Sequence, residues 1–139
     1  LRDAAYFFRV PQTRVKAWLK QLDAREIRVD GRMYYATKDA PEGEMPHVRL
    51  LSGFDPMLLG YRKEDNPILP PEHLRGVFNL TGIVHPTVLA DGRIVARWRE
   101  KDGKVELMPF ENIGVRTKKR IEREVEKWFE VKEIRWMEI

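Results

Sequence analysis

The sequence predicts an α+β fold in which helices come first, a small antiparallel β-rich region follows and a further helix closes the chain. Three observations predict it. Apolar residues recur at helical spacing within residues 1–22, and again within 115–129. The pairs Asp30-Gly31, Asp91-Gly92 and Asp102-Gly103 each separate two runs of β-prone residues. Asp-Gly suits a two-residue type I′ turn, whose central positions both need φ > 0.

Leu1, Ala4, Ala5 and Phe8 fall at i, i+3, i+4 and i+7, the stripe of an amphipathic helix over 1–8. Pro11 suits the first turn of a second helix, in which Val15, Trp18, Leu19 and Leu22 repeat that interval. Arg14, Lys16 and Lys20 fall off the stripe. A hairpin over 26–36 follows, with Tyr34 and Tyr35 adding strand propensity. Helix, turn, helix, hairpin is the order of a winged helix, whose second motif helix can enter a major groove while the wing touches the neighbouring backbone. Gln12, Arg14, Lys16 and Lys20 are then candidates for contact, with Arg32 on the wing. The plainer reading of these cations is a solvated helix face. The first helix of a complete winged helix is missing, and the chain opens without a methionine directly in helical periodicity, so a fragment of a longer protein is expected.

Residues 38–46 combine two prolines, a glycine and three acids without a hydrophobic period, and read as a linker. The expected division is therefore a winged-helix segment with linker over 1–45 and a β-rich domain over 46–139. In the latter, 48–51 forms a buried strand, Asp55 caps a short helix begun by Pro56 and stopped by Gly60, and 71–78 forms another short helix. Capping accounts for Asp55 more simply than catalysis does. The run 83–99, IVHPTVLADGRIVARWR, is the clearest hairpin. Its turn predicts that Leu89 pairs with Ile94, Val88 with Val95 and Thr87 with Ala96. Alternation then puts Thr87, Leu89, Ile94, Ala96 and Trp98 on a core face, and Val88, Arg93, Val95, Arg97 and Arg99 on a cationic one. A strand over 104–110 completes a meander, and 131–139 can add a last strand. In the closing helix, Ile121, Val125, Trp128 and Phe129 line one side, whereas Glu122, Glu124, Glu126 and Lys127 avoid it. Its first turn holds Lys118, Lys119 and Arg120, where the helix dipole prefers acids, so this cluster is a candidate anion-facing patch.

With 42% hydrophobic and 35% charged residues the chain has a globular composition. Its net charge of +4 permits a nucleic-acid partner without requiring one, because the excess is spread: nine basic and seven acidic residues in 1–45, seventeen and fifteen in 46–139. Without cysteine, disulfides and thiolate chemistry are excluded, and a reducing cytoplasm is the default compartment. No run approaches transmembrane length. His47, His73 and His85 lack ligand spacing, the glycines form no phosphate loop, and Ser52 is the only serine, so no metal, cofactor or catalytic residue is assigned.

The ordered set VRLLSGFDPMLLGYR, PPEHLRGVF and GIVHPTVLADGRIVARW, followed by the acidic-basic helix, resembles the C-terminal region of the winged-helix DNA glycosylases of the AlkZ and YcaQ type. The resemblance covers 48–129, and the helix-turn-helix half sits where the family's last winged helix would be. It implies tandem winged helices followed by a β-barrel-like domain, and excision of alkylated bases, including those in interstrand crosslinks. The family's catalytic Gln-aliphatic-Gln or Gln-aliphatic-Asp motif belongs to more N-terminal winged helices. Gln21-Leu22-Asp23 fits that pattern superficially, but it closes the helix that carries Trp18 and Leu19, and no catalytic role is carried over to it.

The leading expectation is thus a non-catalytic C-terminal part of a glycosylase-like protein, holding duplex DNA through Arg14, Lys16, Lys20, Arg32, Arg93, Arg97, Arg99, Lys118 and Lys119 while upstream winged helices of the same chain act on a base. A winged-helix DNA-binding regulator without catalysis, or a structural and protein-interaction module, are the alternatives. The presence or absence of the catalytic motif upstream separates the first two.

Overall fold

The computed structural model describes residues 1–40 and 43–139, so the expected linker over 38–46 includes two positions, Pro41 and Glu42, that lie outside the described residues. The chain divides into two compact units, Leu1–Glu44 with Leu59–Arg62, and Met45–Leu58 with Lys63–Ile139. No helix among the described residues is long and apolar enough to cross a membrane.

The first unit holds helices α1 (Arg2–Phe8) and α2 (Gln12–Gln21) and the hairpin β1 (Arg25–Val29) and β2 (Arg32–Ala36). Arg9 ends α1 in the left-handed region at φ 52°, with its N–H on the last-turn carbonyls. Pro11 then stands at the N-cap of α2, one position earlier than its expected place inside the first turn. Val15 is buried, and Trp18 meets Phe8 edge to face with ring centres 5.7 Å apart. Two ends of the predicted stripes are not buried: Phe8 is exposed, and Leu22, 57% exposed, is already the C-cap residue of α2. Leu22 is carried outward by the sharp turn that follows, where Asp23 at φ 50° swings the chain toward β1 and pairs with Lys38. The hairpin has the expected turn, with Asp30 at φ 46° and Gly31 at φ 75°, and Val29 opposite Arg32.

The second unit is a five-stranded sheet in the order β3 (Val48–Leu51), β4 (Thr87–Ala90), β5 (Arg93–Lys101), β6 (Lys104–Pro109), β7 (Glu133–Trp136). All neighbours are antiparallel except β6 and β7, which run parallel. The sheet is open, with β3 and β7 as its edges, and this replaces the barrel-like expectation. A parallel last strand needs a crossover, and α5 (Val115–Trp128) supplies it. Every residue of β4 is buried, because the sheet packs on both faces. Val88, Ala90, Val95 and Leu107 pack with Ile121 and Val125 of α5, whereas Leu51, Leu89 and Ile94 pack with Leu58, Leu69 and Val77 from the intervening segment.

That segment contains α3 (Pro56–Leu59), a 3₁₀ turn over Pro71–His73 and α4 (Leu74–Val77). Asp55 caps α3 as expected, its Oδ1 accepting the Met57 N–H at 2.9 Å. Asn66 is buried and pins this segment, its amide donating to the Met57 carbonyl at 3.0 Å and its oxygen accepting the Ile68 N–H at 3.0 Å.

The β4–β5 turn is type I′ as predicted, with Asp91 at φ 46° and Gly92 at φ 82°, and Leu89 pairs with Ile94. Beyond that pair the predicted register fails. A bulge shifts it, so Val88 faces Ala96 and Thr87 faces Arg97. The extra residue puts Val95 and Ala96 in the same core cluster, and the predicted cationic face of Arg93, Arg97 and Arg99 is broken between Arg93 and Arg97. One predicted helix face is also corrected. Glu124 is buried at 4% exposure while Trp128 is 66% exposed, because hydrogen bonding to three neighbouring side chains satisfies the carboxylate inside the α5 packing.

Candidate nucleic-acid interface

The cations of the first unit sit on two elements. Lys16 and Lys20, four residues apart, lie one turn above the other on the exposed side of α2, and Arg14 lies on the opposite flank of the Val15–Trp18 stripe. On the hairpin, alternation and register put Arg32 on the same face as Arg25, at opposite ends, with Arg28 on the other face. All six are exposed, and among the described residues none makes an ion pair or side-chain hydrogen bond. Arg25 and Arg28 escaped the sequence reading, although the same period-two alternation marks them.

The cations of the second unit are mostly committed within the fold. Arg93 reaches Glu111 at 3.7 Å and Glu72 at 3.9 Å. The Arg99 guanidinium donates to Glu106, and this bond holds the Glu106 carboxyl below, and the Arg99 guanidinium above, its ordinary pKa. Lys118 lies over the Trp136 ring, 4.8 Å from its centre, in a cation–π contact that holds the ammonium in place without neutralising it. Trp136 is fixed in turn by donating to Glu122 at 2.8 Å. Arg120 approaches Asp91 at 3.7 Å, and His47 Nδ1 lies 2.8 Å from the same carboxylate. The tip of the β4–β5 hairpin is therefore tied back to α5 and to the start of β3. Two predicted residues stay uncommitted here: Lys119 is exposed, and half-buried Arg97 lies between Thr87 and Met108 with no ionic partner among the described residues.

Glu124 is the group that sequence reasoning placed wrongly. It gathers Arg49 of β3 at 3.2 Å, Lys127 at 2.8 Å and the Trp128 indole N–H at 3.1 Å. Burial pushes its carboxyl up, but the hydrogen bonds from Lys127 and Trp128, with the Lys127 charge, bring it below the ordinary carboxylate value. No sequence signal separates it from Glu122 or Glu126, since a charged residue at a helical core position looks like an error of periodicity.

A helix–helix–hairpin unit with open cations, followed in sequence by an α+β unit, is consistent with a class of nucleic-acid protein, and comparison gives the class. The family model described as DNA glycosylase AlkZ-like matches residues 1–131, and the chain belongs to that family. Among individual relatives, the chain is 31% identical over 118 residues to the interstrand DNA cross-link repair glycosylase of Streptomyces sahachiroi. Among solved structures it is similar to the Streptomyces sahachiroi DNA glycosylase AlkZ, with a TM-score of 0.74, 25% identity and 96% of this chain covered. The match takes in 80% of this chain but 32% of the curated relative, and 41% of the solved one, so the chain spans well under half the length of either.

Proposed function

We propose that the chain is the DNA-holding C-terminal part of an AlkZ-like glycosylase acting in the repair of alkylated or crosslinked DNA. In this reading 1–45 is a helix-turn-helix with wing and linker, and 46–139 is a β-rich domain that supports it. The observation that carries the reading is the set of exposed, unpartnered cations on α2 and its hairpin, Arg14, Lys16, Lys20 and Arg32, in a chain of a DNA glycosylase family. With α2 in a major groove and β1–β2 against the adjoining backbone, these side chains contact phosphates. Phosphate neutralisation releases condensed counterions and makes affinity fall steeply with salt. Arg97 and Lys119 are secondary contacts. Arg93 and Arg99, paired with Glu72, Glu111 and Glu106, contribute less, whereas Lys118 keeps its charge over the Trp136 ring and is a further secondary contact.

In this reading base excision is the work of upstream winged helices of the same chain. Within this chain Gln21 is the last residue of α2, Leu22 points to solvent, and Asp23 is engaged by Lys38. Fluorescence anisotropy with a labelled duplex tests the reading. Binding at low salt that weakens sharply at moderate salt is expected; no binding at low salt removes the DNA-holding role.

A further inference from the structure

Glu124 is charged, only 4% exposed, and its hydrogen-bond partners all lead toward the surface. Trp128 Nε1 and Arg49 Nη1 donate to its Oε1 at 3.1 and 3.2 Å, and Lys127 Nζ donates to its Oε2 at 2.8 Å. Trp128 is 66% exposed, and the Arg49 and Lys127 side chains are 46% and 69% exposed. Replacing a buried ion pair with packed apolar groups is often neutral or stabilising, so folding stability alone does not account for a carboxylate at this position. Its visible effect is to fix an open indole and two cations, drawn from α5 and the edge strand β3, in one place. Side chains held in advance lose less conformational freedom when a ligand binds.

The cluster offers an aromatic face beside two cations that outnumber its single carboxylate. An unpaired nucleotide needs that combination, a stacking surface for the base and positive charge for the phosphate. Tryptophan and arginine also serve protein interfaces, but lysine is depleted at their core, so a second cation beside the indole matches the nucleotide better. We propose that Trp128, Arg49 and Lys127 form a stacking platform for an unpaired nucleotide, with its base on the indole and its phosphate between the two cations. The ligand class rests on the nucleic-acid reading above, but the residues are separate from those of α2 and its hairpin.

The test uses a short oligothymidylate as the single-stranded probe, with binding followed by anisotropy and by tryptophan emission. The wild type is expected to bind with quenched emission. Trp128→Ala is expected to weaken that binding about tenfold, the usual scale for losing one stacked base. Trp128→Phe keeps a ring and the fold, and is expected to retain most of the affinity while losing most of the quench. Equal affinity in the wild type and Trp128→Ala, or an undiminished quench in Trp128→Phe, overturns the proposal. The double variant Lys16→Gln/Lys20→Gln is expected to lose duplex affinity and keep oligothymidylate binding. If duplex binds and oligothymidylate does not, the platform alone fails; if neither binds, the nucleic-acid reading fails with it.

Discussion

Two buried polar groups show how single residues bear on this fold in opposite directions. Glu124 is fully engaged, so Glu124→Gln turns charge-assisted hydrogen bonds into neutral ones and is expected to cost about 1–2 kcal/mol at neutral pH, read by chemical denaturation. The sign with pH follows from its lowered pKa. A carboxyl held below its unfolded value, near 4.5, stabilises the fold above that pH and loses this contribution as pH falls through the folded value. The wild type should therefore lose stability more steeply below about pH 4.5 than Glu124→Gln does, and parallel acid limbs would contradict this. Thr87 is the opposite case: it is completely buried, and its hydroxyl has no hydrogen-bond partner among the described residues. Thr87→Val keeps the shape and removes the unpaired oxygen, so a gain of about 1 kcal/mol is expected. At Gly76 an added Cβ would run into the Phe110 ring, which stacks at 4.9 Å on buried His73. Gly76→Ala is expected to destabilise by about 1–3 kcal/mol through overpacking, and an unchanged melting temperature would show that the ring moves aside freely.

At the scale of elements, turns and caps were legible in the sequence because each rests on a local requirement. All three Asp-Gly pairs adopt the two positive φ values that their hairpins need, and Asp55 caps the helix opened by Pro56. Removing that cap by Asp55→Ala should cost about 1 kcal/mol. What could not be read depends on contacts distant in sequence. The bulge opposite Val88 arises where β5 continues past β4 to pair with β6, and no local signal separates Val95 from Ala96 as the extra residue. Two-sided burial of β4 likewise requires α5 on one face and the segment around Leu58 and Val77 on the other. The candidate site divides along the same line. Lys16, Lys20 and Arg32 were found as exposed charges on amphipathic elements, whereas the internal engagement of Arg93, Arg99 and Lys118 depends on Glu72, Glu111, Glu106 and Trp136 arriving from other strands and turns.

Across the whole molecule, the two units differ in how their charges are used. One offers open cations on α2 and its hairpin; the other builds a sheet packed on both faces in which Arg49, Arg93, Arg99, Arg120 and Lys127 are paired with carboxylates. Net charge does not reveal this, since both parts of the sequence carry a small positive excess. A cation paired one to one with a carboxylate adds little net charge for phosphate, whereas a cation without a partner, or two cations sharing one carboxylate as at Glu124, still does. The most direct test is the dependence of duplex affinity on salt for the wild type, for Lys16→Gln/Lys20→Gln and for Arg93→Gln/Arg99→Gln. The first variant is expected to flatten the log–log slope by about one for each lysine removed, and the second to leave it nearly unchanged. A slope unchanged in the α2 variant, or flattened equally in the β5 variant, would contradict this.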